Sequence, residues 1–344
     1  MLKTESLYAT DISFMRVISL FTGMGGMDVG FSEQVVVPRQ SVDESFIESD
    51  SDTPGFVKLK RMGFETVFQN DILPAAKKVA ELNRWDHNYV LRDLRELLEE
   101  NYKFPEADVV TGGFPCQDFS HAGKRQGFDS MRGTLYQSFV EVVKRVKPTV
   151  FVAENVEGLL TMKGAIDTIV ADFSEAGYDV KYQLIKCEEF GIPQTRHRVI
   201  IMGIRLDKKG LPDNWNVITE NRRECHLRPY FAHLKEPDAT DDPAQQMYSK
   251  AAKLEKGQGQ STVNEDGFGP TMRAEHHGNI EFRGARRLTV REAALIQTFP
   301  PDCVLTERKK TMMAYKPIGN AVPTLLGYLV ARKVMSLLTI PCLE

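Results

Sequence analysis

One cysteine, one glutamate and a pair of arginines stand where covalent chemistry could be done. Cys116 follows Gly112-Gly113-Phe114-Pro115 at the end of the apolar run Asp108–Thr111, so its thiol is expected to face a cleft. A thiol attacks as its thiolate, which needs a nearby cation or a helix N-terminus. Arg196 and Arg198, in the segment Ile192-Pro-Gln-Thr-Arg-His-Arg198, are the candidate cations, with a solvated face as the bland alternative. Glu154 directly follows the apolar run Thr149–Ala153. A carboxylate there is either an acid in the cleft or part of a helix start capped by Asn155. Cys116 and Glu154 both end strand-like runs, which favours the functional reading. Cys187, Cys225, Cys303 and Cys342 are read as small buried hydrophobes.

A second set of positions suits a bound nucleoside. The run Arg16–Phe21 leads into Thr22-Gly-Met-Gly-Gly-Met-Asp-Val-Gly30. Gly23, Gly25 and Gly26 would make a tight strand-to-helix turn whose backbone a ligand can approach. This is not the G-x-G-x-x-G dinucleotide pattern, because Asp28 stands where the third glycine would fall. Asn70-Asp71 ends the next strand, where a carboxylate suits ribose hydroxyls. Asp93, after a further short strand, could accept from an exocyclic amine. Three such features at successive strand ends favour a nucleoside over a plain turn.

Positions of this kind need a sheet beneath them. Arg16–Phe21, Glu65–Gln69, Asp108–Thr111, Thr149–Ala153, Asp179–Cys187 and Val199–Ile204 read as strands. Helical periodicity appears at Pro74–Asn83, Asp93–Glu100, Thr134–Val146 and Gly164–Ala176. The alternation predicts an α/β domain with a mainly parallel sheet, with sites at the carboxyl ends of its strands. Two stretches break the pattern. Ser32–Gly55 carries six acidic residues against Arg39 alone and reads as a mobile surface insertion. Leu206–Gly284, rich in Gly, Pro, Asn and His, reads as a small second domain. Helical signals return at Arg287–Gln297 and Val322–Leu338, with Pro323 suited to the first turn of the latter.

The chain has 344 residues, 42% of them hydrophobic, enough for one large domain or two ordinary ones. Lys plus Arg is 44 and Asp plus Glu is 47, a net charge of -3, which excludes a polybasic surface but not local basic patches. Five scattered cysteines without metal-ligand spacing indicate neither a disulfide framework nor a metal site. With no signal-peptide pattern and no apolar run of membrane length, a cytoplasmic, membrane-free protein is expected.

The ordered segments LFTGMGGMDVGF (20–31), GGFPCQDFS (112–120), ENV (154–156), QTRHR (194–198), RRLTVREAALIQTFP (286–300) and IGNAVPT (318–324) resemble the motifs of the DNA (cytosine-5) methyltransferase family. The likeness covers residues 16–31, 61–205 and 286–338, and GKRQGFDSMRGTL (123–135) is similar to the family's mobile catalytic loop. The chain therefore reads as a complete enzyme of the prokaryotic restriction–modification kind, with an S-adenosylmethionine-dependent, Rossmann-like fold.

The resemblance implies methyl transfer from S-adenosyl-L-methionine to carbon 5 of cytosine, leaving S-adenosyl-L-homocysteine. Cys116 would add to carbon 6, Glu154 would hold the N3 and amine edge, Arg198 would contact O2, and Arg196 would organise the Cys116–Glu154 pair. Pro115 and Asn155 would shape the pocket. Phe21, Thr22, Gly23, Gly25, Gly26, Asp71, Ile72, Asp93, Leu94, Pro115 and Leu135 would hold the cofactor. Asn320, Ala321 and Val322 would close its methionine end. The target is double-stranded DNA with its cytosine flipped out. Gln117, Ser120, Lys124, Arg125 and Arg132 would clamp the backbone.

Residues 1–205 and 286–344 would form the catalytic domain, with the insertion at 32–55. Residues 206–285 would form the target-recognition domain, with Arg222, Arg223, Arg228, Arg273, His276, His277, Asn279 and Arg283 as available readers. Arg205–Val290 holds fourteen Lys and Arg against thirteen Asp and Glu, so placement rather than bulk charge would make the contacts. A monomer with a separately acting restriction endonuclease is expected. Three rivals remain: a tRNA cytosine-5 methyltransferase, a catalytically silent DNA-binding regulator, and a nicotinamide oxidoreductase. The intact Cys116, Glu154, Arg196 and Arg198 set argues against the second, and the missing third glycine against the last.

Overall fold

The computed structural model describes residues 14–115, 135–207, 216–250, 261–274, 280–282, 286–305 and 311–339. Strand β1 (Met15–Leu20) turns into α1 (Gly26–Ser32), and β2 (Val36–Pro38), β3 (Ile47–Asp50) and β4 (Phe56–Leu59) follow. Next come β5 (Phe64–Asp71), α2 (Pro74–Asn83), β6 (Tyr89–Leu91), α3 (Leu94–Glu99), β7 (Val109–Gly112), α4 (Leu135–Val146) and β8 (Val150–Val156). The catalytic half continues through α5 (Ala165–Glu175), β9 (Tyr178–Lys186), β10 (Gln194–Thr195) and β11 (His197–Arg205). The variable stretch holds α6 (Leu227–Phe231), α7 (Pro243–Gln246), β12 (Ser261–Val263), β13 (Gly269–Pro270) and β14 (Ile280–Phe282). The chain then runs through β15 (Arg286–Arg287), α8 (Val290–Ile296), α9 (Thr311–Asn320) and α10 (Thr324–Leu338).

Seven strands form the central sheet in the order β6-β5-β1-β7-β8-β11-β9. β11 runs antiparallel to β8 and β9, and the other pairings are parallel. The expected mainly parallel, Rossmann-like α/β architecture is therefore present. Successive strand residues face opposite sides, and each side has its own core. Val17, Val109, Val152 and Met202 lie in one; Ile18, Val110, Phe151 and Ile201 lie in the other.

The order reverses beside β1: the chain first builds β5 and β6 on one side, then β7 and β8 on the other. A crevice opens at the carboxyl ends of strands where such a reversal occurs. Leu20 pairs with Gly112, so the turns after β1 and β7 leave the sheet from neighbouring points.

The insertion departs from its expected mobility. β2, β4 and β3 form an antiparallel three-stranded sheet. Its acidic residues Glu44, Glu48, Asp50 and Asp52 are exposed, while Val35, Val37, Val42, Phe46, Phe56, Val57 and Leu59 are buried in the main core. Composition averaged the two faces together and concealed the apolar one. The last helices also differ from expectation. Pro323 precedes α10 as its cap residue, and α8 starts at Val290 behind a Thr289–Glu292 capping box. Helix α9, which ends in the IGN segment, is an element the periodicity does not reveal. Ala314–Leu338 is long and apolar enough to cross a membrane, but 67% of its most apolar window is buried inside the fold.

Helix α1 is wholly buried, and its seat is backbone on backbone. A Cβ on Gly30 would collide with the main chain of Gly327 and Tyr328 in α10; one on Gly26 would collide with the Val322 carbonyl. Because main chain cannot move aside as a flexible side chain does, Gly30→Ala is expected to cost about 1–3 kcal/mol through overpacking. Urea unfolding measures it, and an unchanged midpoint would contradict the close helix contact.

Candidate active site

A buried carboxylate fixes the turn after β1. Asp28 Oδ2 accepts from Ser19 Oγ at 3.0 Å and Thr22 Oγ1 at 2.6 Å, and its Oδ1 accepts from Gln69 Nε2 at 3.0 Å. Burial pushes the Asp28 carboxyl up, and these hydrogen bonds oppose that rise. Gly23 is held from both sides. Its N–H donates to Asp71 Oδ2 at 2.8 Å, and its carbonyl accepts from the Tyr89 hydroxyl at 2.9 Å. Asp71 Oδ1 also accepts from the Ile72 and Leu73 N–H groups, at 2.7 and 2.8 Å. Burial raises the Asp71 carboxyl against those three bonds.

The turn fits an adenosyl ligand. Phe21 and Gly23 are both left-handed, with φ of 54° and 57°. A Cβ on Gly23 would meet nothing within 4 Å, so the backbone is open to approach among the described residues. Ile72, one residue past Asp71, is 64% exposed, an apolar side chain suited to the face of a base. Three of the expected contact residues have partners within the protein. Gly26 is small because Val322 presses on it. The Leu94 side chain is buried in the core. Asp93 caps α3 through the Arg95 N–H and pairs with the Arg95 guanidinium at 2.6 Å, so its carboxylate is engaged within the protein.

On the other side of the crevice, β7 ends at Gly112 and Phe114 is buried. Asn155 does not cap a helix: its Nδ2 donates to the Phe114 carbonyl at 3.1 Å, holding the chain just before the exposed Pro115. Cys116, Gln117, Ser120, Lys124, Arg125 and Arg132 lie outside the described residues. Glu154 on β8 and Arg198 on β11 meet, with Arg198 Nε 2.7 Å from Glu154 Oε1 and each side chain only 12% exposed. The approach lacks hydrogen-bond geometry, so Oε1 has no donor among the described residues although it is buried. A Cβ on Gly113 would come within 3.1 Å of Glu154 Oε2, so glycine keeps that side of the carboxylate open. A carboxylate short of a donor beside a guanidinium can hold a flat polar ring by a donor edge and an acceptor together.

Arg196 differs from expectation. It is fully buried, and its guanidinium donates to main-chain carbonyls: Nη1 to Met272 at 3.0 Å and Gly319 at 3.4 Å, Nη2 to Ala321 at 3.0 Å. Burial pushes it down to about 9, with Arg198 adding repulsion. Its bonds hold the Gly319–Ala321 segment, with Asn320 exposed and Ala321 buried, while the Cys116 it is expected to organise lies outside the described residues. Two residues absent from the expected set complete the knot. Gln194 joins Met272 N, the Ile296 carbonyl and Gln297, and Gln297 donates to the Ile318 and Ala321 carbonyls. Their signal was present in the QTRHR and IQTFP motifs, where the charged residues drew attention away from the amides.

Most arginines proposed as DNA readers are occupied within the protein. Arg222 pairs with Glu189, Arg223 with Asp43 and the Val42 carbonyl, and Arg228 with Asp266. Arg273 is exposed, and Leu135 opens α4 half-buried; His276, His277, Asn279 and Arg283 fall outside the described residues. Cys187, Cys225 and Cys303 are buried as expected, and burial pushes the Cys187 thiol up to about 12.

Comparison with known proteins identifies the family of the chain. A profile of the family described as C-5 cytosine-specific DNA methylase matches residues 15–227 and 215–336. Type II methyltransferase M.BspRI of Lysinibacillus sphaericus is 33% identical over 93% of this chain and 81% of its own length. Type II methyltransferase M.BsuRI of Bacillus subtilis is 31% identical over 93% and 79%. Among solved structures, the S. pombe Dnmt2 methyltransferase matches with a TM-score of 0.67 at 16% identity, covering 95% of this chain and 99% of that one. The Entamoeba histolytica methyltransferase EhMeth matches with a TM-score of 0.66, also at 16% identity, over 95% and 99%. The structural likeness concerns the fold.

His197, between the two arginines, was also missed as a site-supporting residue. Its Nδ1 lies 3.1 Å from Glu157 and its Nε2 3.0 Å from Glu188. Burial works against its charge, but the two carboxylates prevail and the imidazole is raised above its ordinary 6.5. The stabilisation is complete below that unfolded value and is lost as pH rises through the raised folded value. The stability difference between wild type and His197→Gln should therefore shrink as pH is raised from about 6 to 9. Denaturant unfolding across that range would show a constant or growing difference if His197 were neutral in the folded protein.

Proposed function

The chain belongs to the C-5 cytosine-specific DNA methylase family and is a DNA (cytosine-5) methyltransferase, and from that premise we propose that it modifies one short site in double-stranded DNA through a covalent Cys116 adduct. The observation that carries the reading is the buried Glu154 oxygen beside Arg198, left without a hydrogen-bond donor among the described residues. A flipped-out cytosine offers the missing donor from its amine and protonated N3 edge, and offers its O2 to Arg198. Burial makes these contacts count, because a charge-assisted hydrogen bond is stronger away from water.

Carbon 5 of cytosine is a poor nucleophile while the ring is aromatic. The Cys116 thiolate forms a bond to carbon 6, and the displaced electron pair is shared between carbon 5 and the ring edge. Glu154 and Arg198 stabilise the charge that develops on that edge. Loss of the carbon 5 proton to a base then lets the carbon–sulfur bond break, restoring thiolate and aromatic ring. S-adenosyl-L-methionine supplies the methyl group for carbon 5 when bound. Phe21, Gly23, Gly25, Asp71 and Ile72 would hold its adenosyl part, and Asn320 to Val322 its methionine end.

Residues 206–285 serve as the recognition region, and Gln117–Arg132 as the backbone clamp. Kinship with Type II methyltransferases supports a restriction–modification role, with a separately acting endonuclease, for a cytoplasmic monomer.

Glu154→Gln keeps the shape of the side chain and removes its charge. It should slow single-turnover methylation by about 10²-fold or more, while a near-normal rate would contradict the role assigned to the carboxylate. A tRNA methyltransferase would share these groups, so substrate decides between the two. Radiolabelled methyl groups should enter duplex DNA and not tRNA; the opposite result would reassign the substrate.

A further inference from the structure

The folded insertion is joined to the variable stretch by buried polar groups, beside its apolar face and the part-exposed Arg223–Asp43 pair. Ser41, fully buried, places its Oγ 2.9 Å from the Tyr230 hydroxyl and 3.2 Å from Cys225 Sγ. Asn221 donates from Nδ2 to the Ser41 carbonyl at 2.8 Å and the Phe190 carbonyl at 3.0 Å, and its Oδ1 accepts from the Asp43 N–H at 2.9 Å. One side chain thus ties the insertion, the variable stretch and the lead-in to the QTRHR segment. Gly191, at φ 81°, exists at this joint because any Cβ would collide with the Ser41 carbonyl. Two residues on, the Pro193 carbonyl accepts from Gly269 N–H at 2.8 Å, which seats β13 of the variable stretch.

We infer that the inserted sheet β2–β4 is the seat of the recognition region, with Ser41 and Asn221 as positioning residues that set its placement relative to Glu154 and Arg198. The inference rests on the reading of residues 206–285 as the part that selects the DNA site. Base readout in a groove depends on where side chains arrive, and a displacement of about 1 Å in a positioned group is enough to change a rate by orders of magnitude. The hydrogen bonds of Ser41 and Asn221 share no partner with those that hold the Gly23–Asp71 turn. Loosening it should therefore blur site choice before it weakens cofactor binding.

The test uses the full-length protein and a random-sequence duplex DNA library, methylated in vitro with S-adenosyl-L-methionine and read by methylation-sensitive sequencing. Two variants probe the joint. Ser41→Ala removes the hydroxyl, and Asn221→Gly removes the amide while keeping the left-handed backbone, φ 61°, that alanine would strain. Wild-type protein should concentrate methyl groups at one short site. In each variant the fraction falling outside that site should rise at least about fivefold, the factor for one lost buried hydrogen bond, and more in Asn221→Gly, which loses its bonds to Ser41, Phe190 and Asp43 together. Affinity for S-adenosyl-L-homocysteine, measured by calorimetry, should stay within about twofold, since none of the lost bonds touches that site. Variants with the wild-type site distribution, whether or not total activity or melting temperature falls, would overturn the inference alone. Wild-type protein that leaves the library unmethylated would overturn the function on which it rests.

Discussion

A carboxylate buried beside an arginine, with one oxygen short of a hydrogen bond, is the constraint around which this molecule is arranged. Leaving a buried acceptor unsatisfied costs on the order of 1–3 kcal/mol. Among the described residues Glu154 Oε1 has an ion-pair partner but no hydrogen-bond donor: Arg198 approaches at 2.7 Å without hydrogen-bond geometry, and Gly113 keeps the other oxygen clear. Such a site stays intact only where the surroundings leave it no alternative. β8 and β11 supply that rigidity, because the two side chains come from adjacent antiparallel strands in the middle of the sheet. On the proposed function, the substrate ring would complete contacts that the described residues leave open.

The arrangement also joins cofactor and target sides mechanically. Arg196 spends its donors on carbonyls of Met272, from the variable stretch, and of Gly319 and Ala321, from the segment over α1. A charged group buried among carbonyls holds several backbones at fixed spacing, which a hydrophobic side chain could not do. Gly319 has no room for a Cβ against Arg273 and Ala274, so the two segments touch main chain to main chain. The end of the variable stretch and the Gly319–Ala321 segment are therefore joined through main chain and one buried guanidinium.

Much of this was readable from residue order. The strand runs, Pro74–Asn83, and the placement of Asp71 and Gly23 at strand ends follow from periodicity and glycine pattern, and the structure bears them out, while Glu154 lies inside β8, which runs two residues further. What sequence hid has physical causes. The insertion looked disordered because exposed Glu44, Glu48 and Asp50 dominate its composition, while its buried valines and Phe46 and Phe56 are spread across three short strands. Arg196 looked catalytic because motif order cannot tell which way a side chain turns; its direction is set by Gly319 and Ala321, more than a hundred residues away. The acidic partners of Arg222, Arg223 and Arg228, namely Glu189, Asp43 and Asp266, come from distant parts of the chain and show only in space.

The most direct measurement is covalent capture on a duplex whose target cytosine carries fluorine at carbon 5, with S-adenosyl-L-methionine present, followed by peptide mapping. Fluorine cannot leave as a proton does, so the reaction halts with protein and ring still joined. The account predicts one stable adduct per chain, mapped to Cys116 and formed far more slowly by a protein lacking the Glu154 charge. A duplex that is methylated normally in its unfluorinated form yet gives no adduct, or an adduct on another residue, would contradict it.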